Sequence, residues 1–311
     1  MAAVIKTVNL TKRYGTLVAL SNLNLEINEG DCFGFIGPNG AGKTTTIKIL
    51  ATLLQPTWGE ARICDLVVGY QSRQIRPLIG YVPDYFGAYE DMVVQEYLEF
   101  FAAAYNINGA KRTQIVNDVL ELTDLGYKKD AAVDGLSRGM KQRLSIARVL
   151  VHDPKVLLLD EPAGNLDPRA RIEMRELLKE LRRMGKTILI SSHILPELAD
   201  LCNTVGIIER GELIYSGPVA DIVKRARAGT VLHVGVSHNQ QLAAALLSQD
   251  PNVENVAANN GFLEVSLKSG VEDYTFVPQQ LVQSGFRLTM LREEEVNLET
   301  AFMRLTKGMV Q

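Results

Sequence analysis

The chain has 311 residues, and at about 100–200 residues per domain this length predicts two domains. Apolar residues make up 46% and charged residues 22%, which excludes a disordered or fibrous chain. The 33 Lys and Arg residues against 36 Asp and Glu residues give a net charge of −3, so no overall positive charge favours nucleic acid or anionic lipid.

No membrane span or secretory signal is visible in the sequence. No stretch approaches the ~18 consecutive apolar residues that cross a bilayer, and the N-terminus, MAAVIKTVNLTKRYG, alternates like a strand. The three cysteines, Cys32, Cys64 and Cys202, are widely spaced and form no CxxC pair, which predicts free thiols in a reducing compartment. These features predict a soluble cytoplasmic protein.

Strands and helices alternate along the first two thirds of the chain. The first thirty residues have the alternation of strands, and residues 32–36 (CFGFI) are typical of a buried strand. A glycine-rich loop and a helix follow, and residues 91–125 have helical periodicity. Buried strands are predicted at 155–160 and 186–192, with a charged helix between them at 169–184. This order indicates an α/β core.

The pattern starts afresh after Gly217-Pro218. A short basic helix is followed by strand, helix, strand, strand, helix and strand, and an amphipathic helix over 298–305 is predicted last. The order β-α-β-β-α-β is typical of a ferredoxin-like module. We therefore predict an α/β domain over 1–220 and a small C-terminal α+β domain over 221–311.

A glycine-rich loop, GPNGAGKT, fits the pattern G-x-x-x-x-G-K-[ST] between a predicted strand and a predicted helix. Glycines let backbone N–H groups turn towards phosphate oxygens, and the helix N-terminus adds partial positive charge. Lys43 is predicted to contact the β- and γ-phosphates, and the Thr44 hydroxyl to bind Mg²⁺. The alternative, a chance glycine turn, is expected in about one chain in a hundred from composition alone. The predicted phosphate-binding residues are Gly37, Pro38, Asn39, Gly40, Ala41, Gly42, Lys43, Thr44 and Thr45.

Two carboxylates directly follow the apolar strand in KVLLLDEP, residues 155–162. Asp160 is predicted to orient the Mg²⁺ shell, and Glu161 to polarise the attacking water as a general base. The alternative is that the two carboxylates have no catalytic role and only mark the point where the strand reaches solvent. Together with the glycine loop, the pair favours nucleotide hydrolysis.

Between these motifs lies DGLSRGMKQRLSIARVL, in which Ser137 is 23 residues before Asp160. With the glycine loop and the Asp-Glu strand, this segment resembles the nucleotide-binding subunit of ATP-binding cassette (ABC) transporters, whose signature is close to LSGGQ-[KR]-Q-R. The resemblance covers residues 4–217. It implies a P-loop ATPase core with an antiparallel β-subdomain, a helical subdomain at about 88–145, and ATP with Mg²⁺ as cofactors.

The resemblance implies roles for further residues. Tyr14 matches the aromatic residue that stacks on adenine, although a tyrosine before glycine is also an ordinary turn. His193, after SS at the end of a predicted strand, matches the switch histidine that contacts the γ-phosphate and joins Glu161 and Lys43 as a catalytic residue.

The signature segment indicates a second phosphate-binding turn, made by Ser137 and Gly139 before a helix. Two such turns are redundant in one chain unless the second covers the nucleotide of another copy. The family's head-to-tail homodimer, with two ATP molecules between Lys43 of one copy and Ser137 of the other, is therefore implied.

Two departures from the family pattern stand out. IGYVPD has Asp84 where the family has glutamine; we predict that Asp84 lies near Mg²⁺ or the lytic water and tunes coupling without abolishing turnover. LSRGM replaces LSGGQ, so Arg138 adds a cation and Met140 removes a polar group. These departures and the C-terminal module together resemble the type 2 exporter branch, which serves drugs, lipids, polysaccharides or ions.

Two classes of function remain open. The first is the ATPase subunit of an exporter, bound to a separate membrane permease and peripheral on the inner, cytoplasmic face of the cell membrane. The second is a non-transport ABC ATPase that acts on a nucleic-acid or assembly complex. A single glycine loop, the compact spacing from Lys43 to Asp160 and the slightly negative net charge favour the first class, with no direct nucleic-acid partner.

Two further segments have more than one interpretation. The apolar residues over 85–105 either fill the core of the helical subdomain or line the permease-binding surface. The C-terminal domain either dimerises, regulates or is an ordinary folded module.

Overall fold

The structure is a computed structural model that describes residues 3–85, 87, 92–192, 194–226, 230–259, 261–268, 270–271, 273–294 and 302. The chain divides into two compact units, one up to Val219 and one that begins at Ala220. Across the described residues, no helix combines the length and apolar character that crossing a bilayer requires. The predicted helix over 298–305 lies outside the described residues, apart from Phe302.

The secondary structure of the N-terminal unit alternates as predicted. Its strands are β1 (Ala3–Tyr14), β2 (Leu17–Asn28), β3 (Cys32–Ile36), β4 (Trp58–Ile63), β5 (Leu66–Val67), β6 (Ile79–Val82), β7 (Val156–Asp160), β8 (Thr187–Ser192), β9 (Thr204–Glu209) and β10 (Glu212–Pro218). Its helices are α1 (Lys43–Leu50), α2 (Ser72–Ile75), α3 (Val94–Ala104), α4 (Gly109–Leu122), α5 (Arg138–Leu150), α6 (Pro168–Arg183) and α7 (Leu195–Leu201).

An antiparallel sheet of order β2-β1-β4-β5 forms the β-subdomain. In β2, Leu23, Leu25 and Ile27 are buried, whereas Asn24 and Glu26 between them are exposed. Successive side chains of a strand point to opposite faces, so this alternation places one apolar face on the core. The antiparallel subdomain implied by the family resemblance is confirmed.

The central sheet has the order β10-β9-β3-β8-β7-β6, parallel throughout except for the edge pair β9–β10. Every residue of β3, β7 and β8 is buried, which explains why these strands read as continuous apolar runs. Because adjacent parallel strands end at the same edge, the segments after β3, β7 and β8 meet there. The predicted α/β P-loop core is confirmed.

The segment 91–125, predicted to be helical, contains two helices, α3 and α4. Asn106, with a φ of 60°, follows the end of α3 in the left-handed region that asparagine tolerates. Tyr97 of α3 is fully buried and meets Phe101 edge-on, with ring centroids 5.0 Å apart. Val94 is also fully buried, whereas Phe100 is 47% exposed. The apolar residues of this segment therefore divide between the subdomain core and its surface.

The boundary between the two units falls within α8 (Val219–Ala226). The C-terminal unit then contains β11 (Val231–Val236), α9 (Gln240–Leu247), β12 (Val253–Asn259), β13 (Phe262–Leu267), α10 (Phe276–Gln283) and β14 (Leu288–Glu293). Its antiparallel sheet has the order β12-β13-β11-β14. In β13, Leu263, Val265 and Leu267 are fully buried against α9 and α10 residues such as Leu247 and Leu281. This topology is that of the predicted ferredoxin-like module.

Candidate functional site

The glycine loop lies between the end of β3 and the first residue of α1. A Cβ atom at Gly37 would lie 2.3 Å from the carbonyl oxygen of Ile208, and Gly42 has a φ of 110° with the Ala19 carbonyl 2.7 Å from its Cβ position. No side chain fits at the first position, and the second needs a backbone conformation open mainly to glycine. Packing therefore requires these two glycines independently of phosphate binding.

Lys43, at the start of α1, is buried against the loop that precedes it. Its Nζ donates to the carbonyl oxygens of Gly37 at 2.6 Å and Pro38 at 3.1 Å, and lies 3.9 Å from Glu161 Oε1. Burial lowers the pKa of Lys43, and the charges of Glu161 and Asp160 act in the opposite direction. The ammonium group is thus held at the loop by two carbonyl oxygens, close to the Glu161 carboxylate.

Asp160 ends β7 beside the glycine loop. Its Oδ1 accepts hydrogen bonds from Thr44 Oγ1 at 3.1 Å and from Ser191 Oγ at 2.7 Å. Burial raises the pKa of Asp160; the bonds from Ser191 and Thr44 lower it, and the nearby carboxylates of Asp84 and Glu161 raise it. The buried Oδ2 has no hydrogen-bond partner among the described residues.

These oxygens fit a magnesium ion. Mg²⁺ prefers hydroxyl, carboxylate and water oxygens and is commonly bound through one or two carboxylates plus substrate phosphates. Thr44 and Asp160, predicted as metal ligands, are in direct hydrogen-bond contact, and the unpartnered Oδ2 provides a further oxygen. The donor set is therefore chemically suited to the ion, and its occupancy stays a prediction.

Glu161 follows β7 with a φ of 49°, in the left-handed region that is uncommon for residues other than glycine. Its backbone N–H donates to Ser191 Oγ at 3.0 Å and to the Ser191 carbonyl at 3.2 Å, which stabilises this conformation. The side chain is 22% exposed and lines the cleft described next. A sparsely populated backbone conformation at the carboxylate is typical of functional sites.

A cleft of about 330 Å³ opens above the glycine loop, lined by Tyr14, Leu17, Ala19, Asn39, Gly40, Ala41, Gly42, Lys43, Thr44, Thr45 and Glu161. Tyr14 is 48% exposed, and Lys12 Nζ lies 5.2 Å from the centroid of its ring. An ammonium over the ring is a cation–π contact. Most residues predicted to bind nucleotide therefore share one cleft.

Ser137 and Gly139 are not among the described residues that line this cleft. Ser137 is the exposed N-cap of α5, and its Oγ accepts a hydrogen bond from the Met140 N–H at 3.3 Å. A Cβ atom on Gly139 would lie 2.8 Å from Ala170 Cβ, so this glycine permits close packing of α5 on α6. The structure gives Gly139 a packing role that the sequence did not reveal.

Asp84 is exposed just beyond β6, and His193 lies outside the described residues. Burial, together with the negative charges of Asp160 and Asp84, raises the pKa of Tyr81 to about 12, and Arg148 opposes this shift. Asp84 therefore acts electrostatically on the same region as Asp160, although no direct contact of its carboxylate with the glycine loop is present among the described residues.

Sequence reasoning did not single out Ser191 or Lys12. Ser191 contacts both acidic residues through one hydroxyl, and Lys12 covers the ring of Tyr14. Two consecutive serines at the end of a buried apolar strand do indicate a hydrogen-bonding role for Ser191, because a buried polar group needs a partner. Lys12 and Tyr14 are two residues apart in β1, a spacing that places side chains on the same face of a strand.

The chain is similar to a family of known proteins. The family model for ABC transporters matches residues 20–164. The bacitracin transport ATP-binding protein BcrA of Bacillus licheniformis is 35% identical over 315 residues, or 99% of each chain. The Nod factor export ATP-binding protein I of Cupriavidus metallidurans is 39% identical over 223 residues, which cover 72% of this chain and 74% of that protein.

Solved structures give the same result. The dimeric bacterial ABC transporter cassette MJ0796 has a TM-score of 0.63 and 29% identity, and the match covers 69% of this chain and 98% of that one. The same cassette in a post-hydrolysis state bound to ADP and Pi also has a TM-score of 0.63, with 28% identity. The chain therefore belongs to the ATP-binding subunits of ABC transporters and is an ATP hydrolase that resembles the ATPases of exporters.

Proposed function

We propose that two copies of this chain bind two Mg-ATP molecules head to tail and drive export through a separate membrane permease, at the inner face of the membrane. The separation of the two anion-binding turns carries this proposal. Lys43 lines the cleft, whereas the exposed Ser137 caps a helix outside it. Each cleft is then completed by Ser137 and Gly139 of the other copy.

The residues have distinct roles in this proposal. Lys43 and the loop N–H groups bind the phosphates, and Tyr14 stacks on adenine. Thr44 and Asp160 hold Mg²⁺, which when bound neutralises charge on the β- and γ-phosphates. Glu161 accepts the proton of the attacking water, and His193 contacts the γ-phosphate. Hydrolysis then releases the contacts across the two copies, and the opening motion is passed to the permease.

Mixing two inactive variants tests the head-to-tail arrangement. Lys43→Ala impairs the glycine loop and Ser137→Arg impairs the signature turn, so each variant alone should lack ATPase activity. In a mixed dimer, both defects fall in one cleft and the other cleft is intact. We expect ATPase activity to reappear on mixing, as measured by phosphate release. No recovery, with mixed dimers demonstrated by differential tags, would contradict the arrangement.

A groove of about 240 Å³ between the helical subdomain and the central sheet supports the proposed permease contact. Phe101 of α3 and Tyr105, just after that helix, line it together with the exposed Leu53. Its described lining includes the guanidinium groups of Arg76 and Arg148 and no carboxylate. An apolar helix or turn with acidic residues matches this groove in chemistry. The segment 85–105 contributes to it only in part, and Phe86, Tyr89, Glu90 and Asp91 lie outside the described residues.

His152 belongs to the same groove. It is half-buried: its Nε2 is 2.9 Å from the Ile79 carbonyl oxygen, and its ring stacks on Tyr105 with centroids 4.0 Å apart. Burial lowers the pKa of His152, so it is an uncharged wall of the groove at neutral pH. The stack joins the end of α3 to the segment that precedes β7.

Leu53→Glu should separate permease binding from ATPase activity. Glutamate removes an apolar contact and places negative charge where the groove is proposed to bind acidic residues, so we expect at least about tenfold weaker co-purification with the permease. The ATPase rate of the isolated subunit should not change. Leu242→Glu in α9 is a matched control, since both leucines are 62% exposed. Equal loss of permease binding in both variants would contradict a role for the groove.

Asp84→Gln tests the predicted tuning role. Because Asp84 adds negative potential at Asp160, its neutralisation should raise the Mg²⁺ concentration for half-maximal ATPase activity by about two- to fivefold, the range expected for one exposed charge. Turnover at saturating Mg²⁺ should persist. If the ATPase rate, the Mg²⁺ dependence and transport were all unchanged, Asp84 would have no role in coupling.

A further inference from the structure

The hydroxyl of Ser191 lies between the two acidic residues of the site. Ser191 is fully buried in β8, and its Oγ donates to Asp160 Oδ1 at 2.7 Å. The same Oγ accepts a hydrogen bond from the Glu161 backbone N–H at 3.0 Å. One hydroxyl therefore uses both its donor and an acceptor lone pair on neighbouring residues with different proposed roles.

The register of the central sheet produces this contact. Asp160 of β7 and Ser191 of β8 are direct partners in adjacent parallel strands. A buried hydroxyl in an apolar strand is unfavourable unless it is hydrogen-bonded. Placing it opposite a buried carboxylate satisfies both groups at once. The contact is thus set by strand pairing and does not depend on a mobile loop.

The geometry has consequences for the two oxygens of Asp160. Oδ1 accepts from both Ser191 and Thr44, which fixes the rotation of the carboxylate. Oδ2 is buried and has no hydrogen-bond partner among the described residues. It is therefore the carboxylate oxygen that remains available to a metal ion. Groups that hydrogen-bond to a metal ligand commonly orient it, and their loss typically weakens metal binding.

We propose that Ser191 is a positioning residue that orients the Asp160 carboxylate towards Mg²⁺ and holds the Glu161 backbone in the conformation that presents its side chain to the cleft. The inference rests on the proposed Mg-ATP site and adds to it a residue that touches neither the metal nor the nucleotide. The competing explanation is that the hydroxyl only satisfies the end of a buried strand. That explanation predicts altered stability without a selective change in metal affinity.

Ser191→Ala separates these explanations. With the full chain and a non-hydrolysable ATP analogue, Mn²⁺ serves as the probe, and its binding is titrated by electron paramagnetic resonance. We expect Mn²⁺ affinity to fall by about tenfold or more, whereas binding of the analogue in EDTA is unchanged. Thr187→Val is the matched control: its buried hydroxyl in the same strand accepts the Gly30 N–H at 2.9 Å, away from the carboxylates.

The results of these titrations decide whether Ser191 positions Asp160. Wild-type Mn²⁺ affinity in Ser191→Ala, or an equal fall in Thr187→Val, would overturn the inference. If Ser191→Ala does not fold, Ser191→Cys keeps a weak donor at the position and should give a smaller fall; unchanged affinity there would likewise overturn it. If the wild-type chain binds the analogue but no Mn²⁺, the proposed metal site itself is wrong. Results from the variants alone would test only the role of Ser191.

Discussion

Lys43→Ala is expected to lower the ATPase rate by about 10²–10³-fold, which is the usual loss when an enzyme loses one group that stabilises the charge of the transition state. The Nζ atom lies at the loop carbonyls, 3.9 Å from Glu161 and close to where the phosphates are proposed to bind. Alanine removes the positive charge without adding volume. The rate is measured by phosphate release, and nucleotide affinity by fluorescence titration with a labelled ATP analogue.

Lys48→Ala provides the comparison, because Lys48 is exposed and lies in the same helix, α1. It should retain the wild-type rate and affinity. The bonds from Lys43 to Gly37 and Pro38 also support the loop, so thermal unfolding should be followed for both variants. Wild-type turnover in Lys43→Ala would refute the assignment of this lysine to the phosphates, whereas loss in both variants would indicate a general defect of α1.

Glu161→Gln is expected to slow hydrolysis by about 10²–10⁴-fold, the usual contribution of a general base, and to keep ATP binding. Glutamine has nearly the same shape but cannot accept the proton of the attacking water. The backbone bonds of residue 161 to Ser191 do not involve the side chain and should persist. Slowed hydrolysis should trap the ATP-bound dimer, which size-exclusion chromatography with light scattering detects after ATP addition.

The trapped dimer distinguishes a lost base from a disrupted site. Glu121→Gln, at an exposed position of α4, makes the same chemical change far from the carboxylate pair in sequence and should behave as wild type. A Glu161→Gln variant that turned over at the wild-type rate would refute Glu161 as the base. A variant that failed to bind ATP would instead indicate that the Lys43–Glu161 contact is needed to form the phosphate site.

Sequence reasoning succeeded where a local pattern has one physical explanation. The strands β3, β7 and β8 read as short, continuous apolar runs because they are buried on both faces. It did not single out β4 or β9. Trp58 and Gly59 begin β4, where Trp58 is 71% exposed and pairs with Thr11 of β1. Pairing across the chain, and not local pattern, makes this segment a strand.

The amino-acid sequence alone determined the family, the α/β core, the ferredoxin-like module and the residues that follow three buried strands, because glycine loops and apolar runs are local properties. Only the tertiary structure decided that Ser191 faces Asp160 and that Gly139 packs on Ala170. Those contacts depend on strand register and on the approach of helices distant in sequence. A one-residue change in register would turn the Ser191 side chain to the opposite face of the sheet.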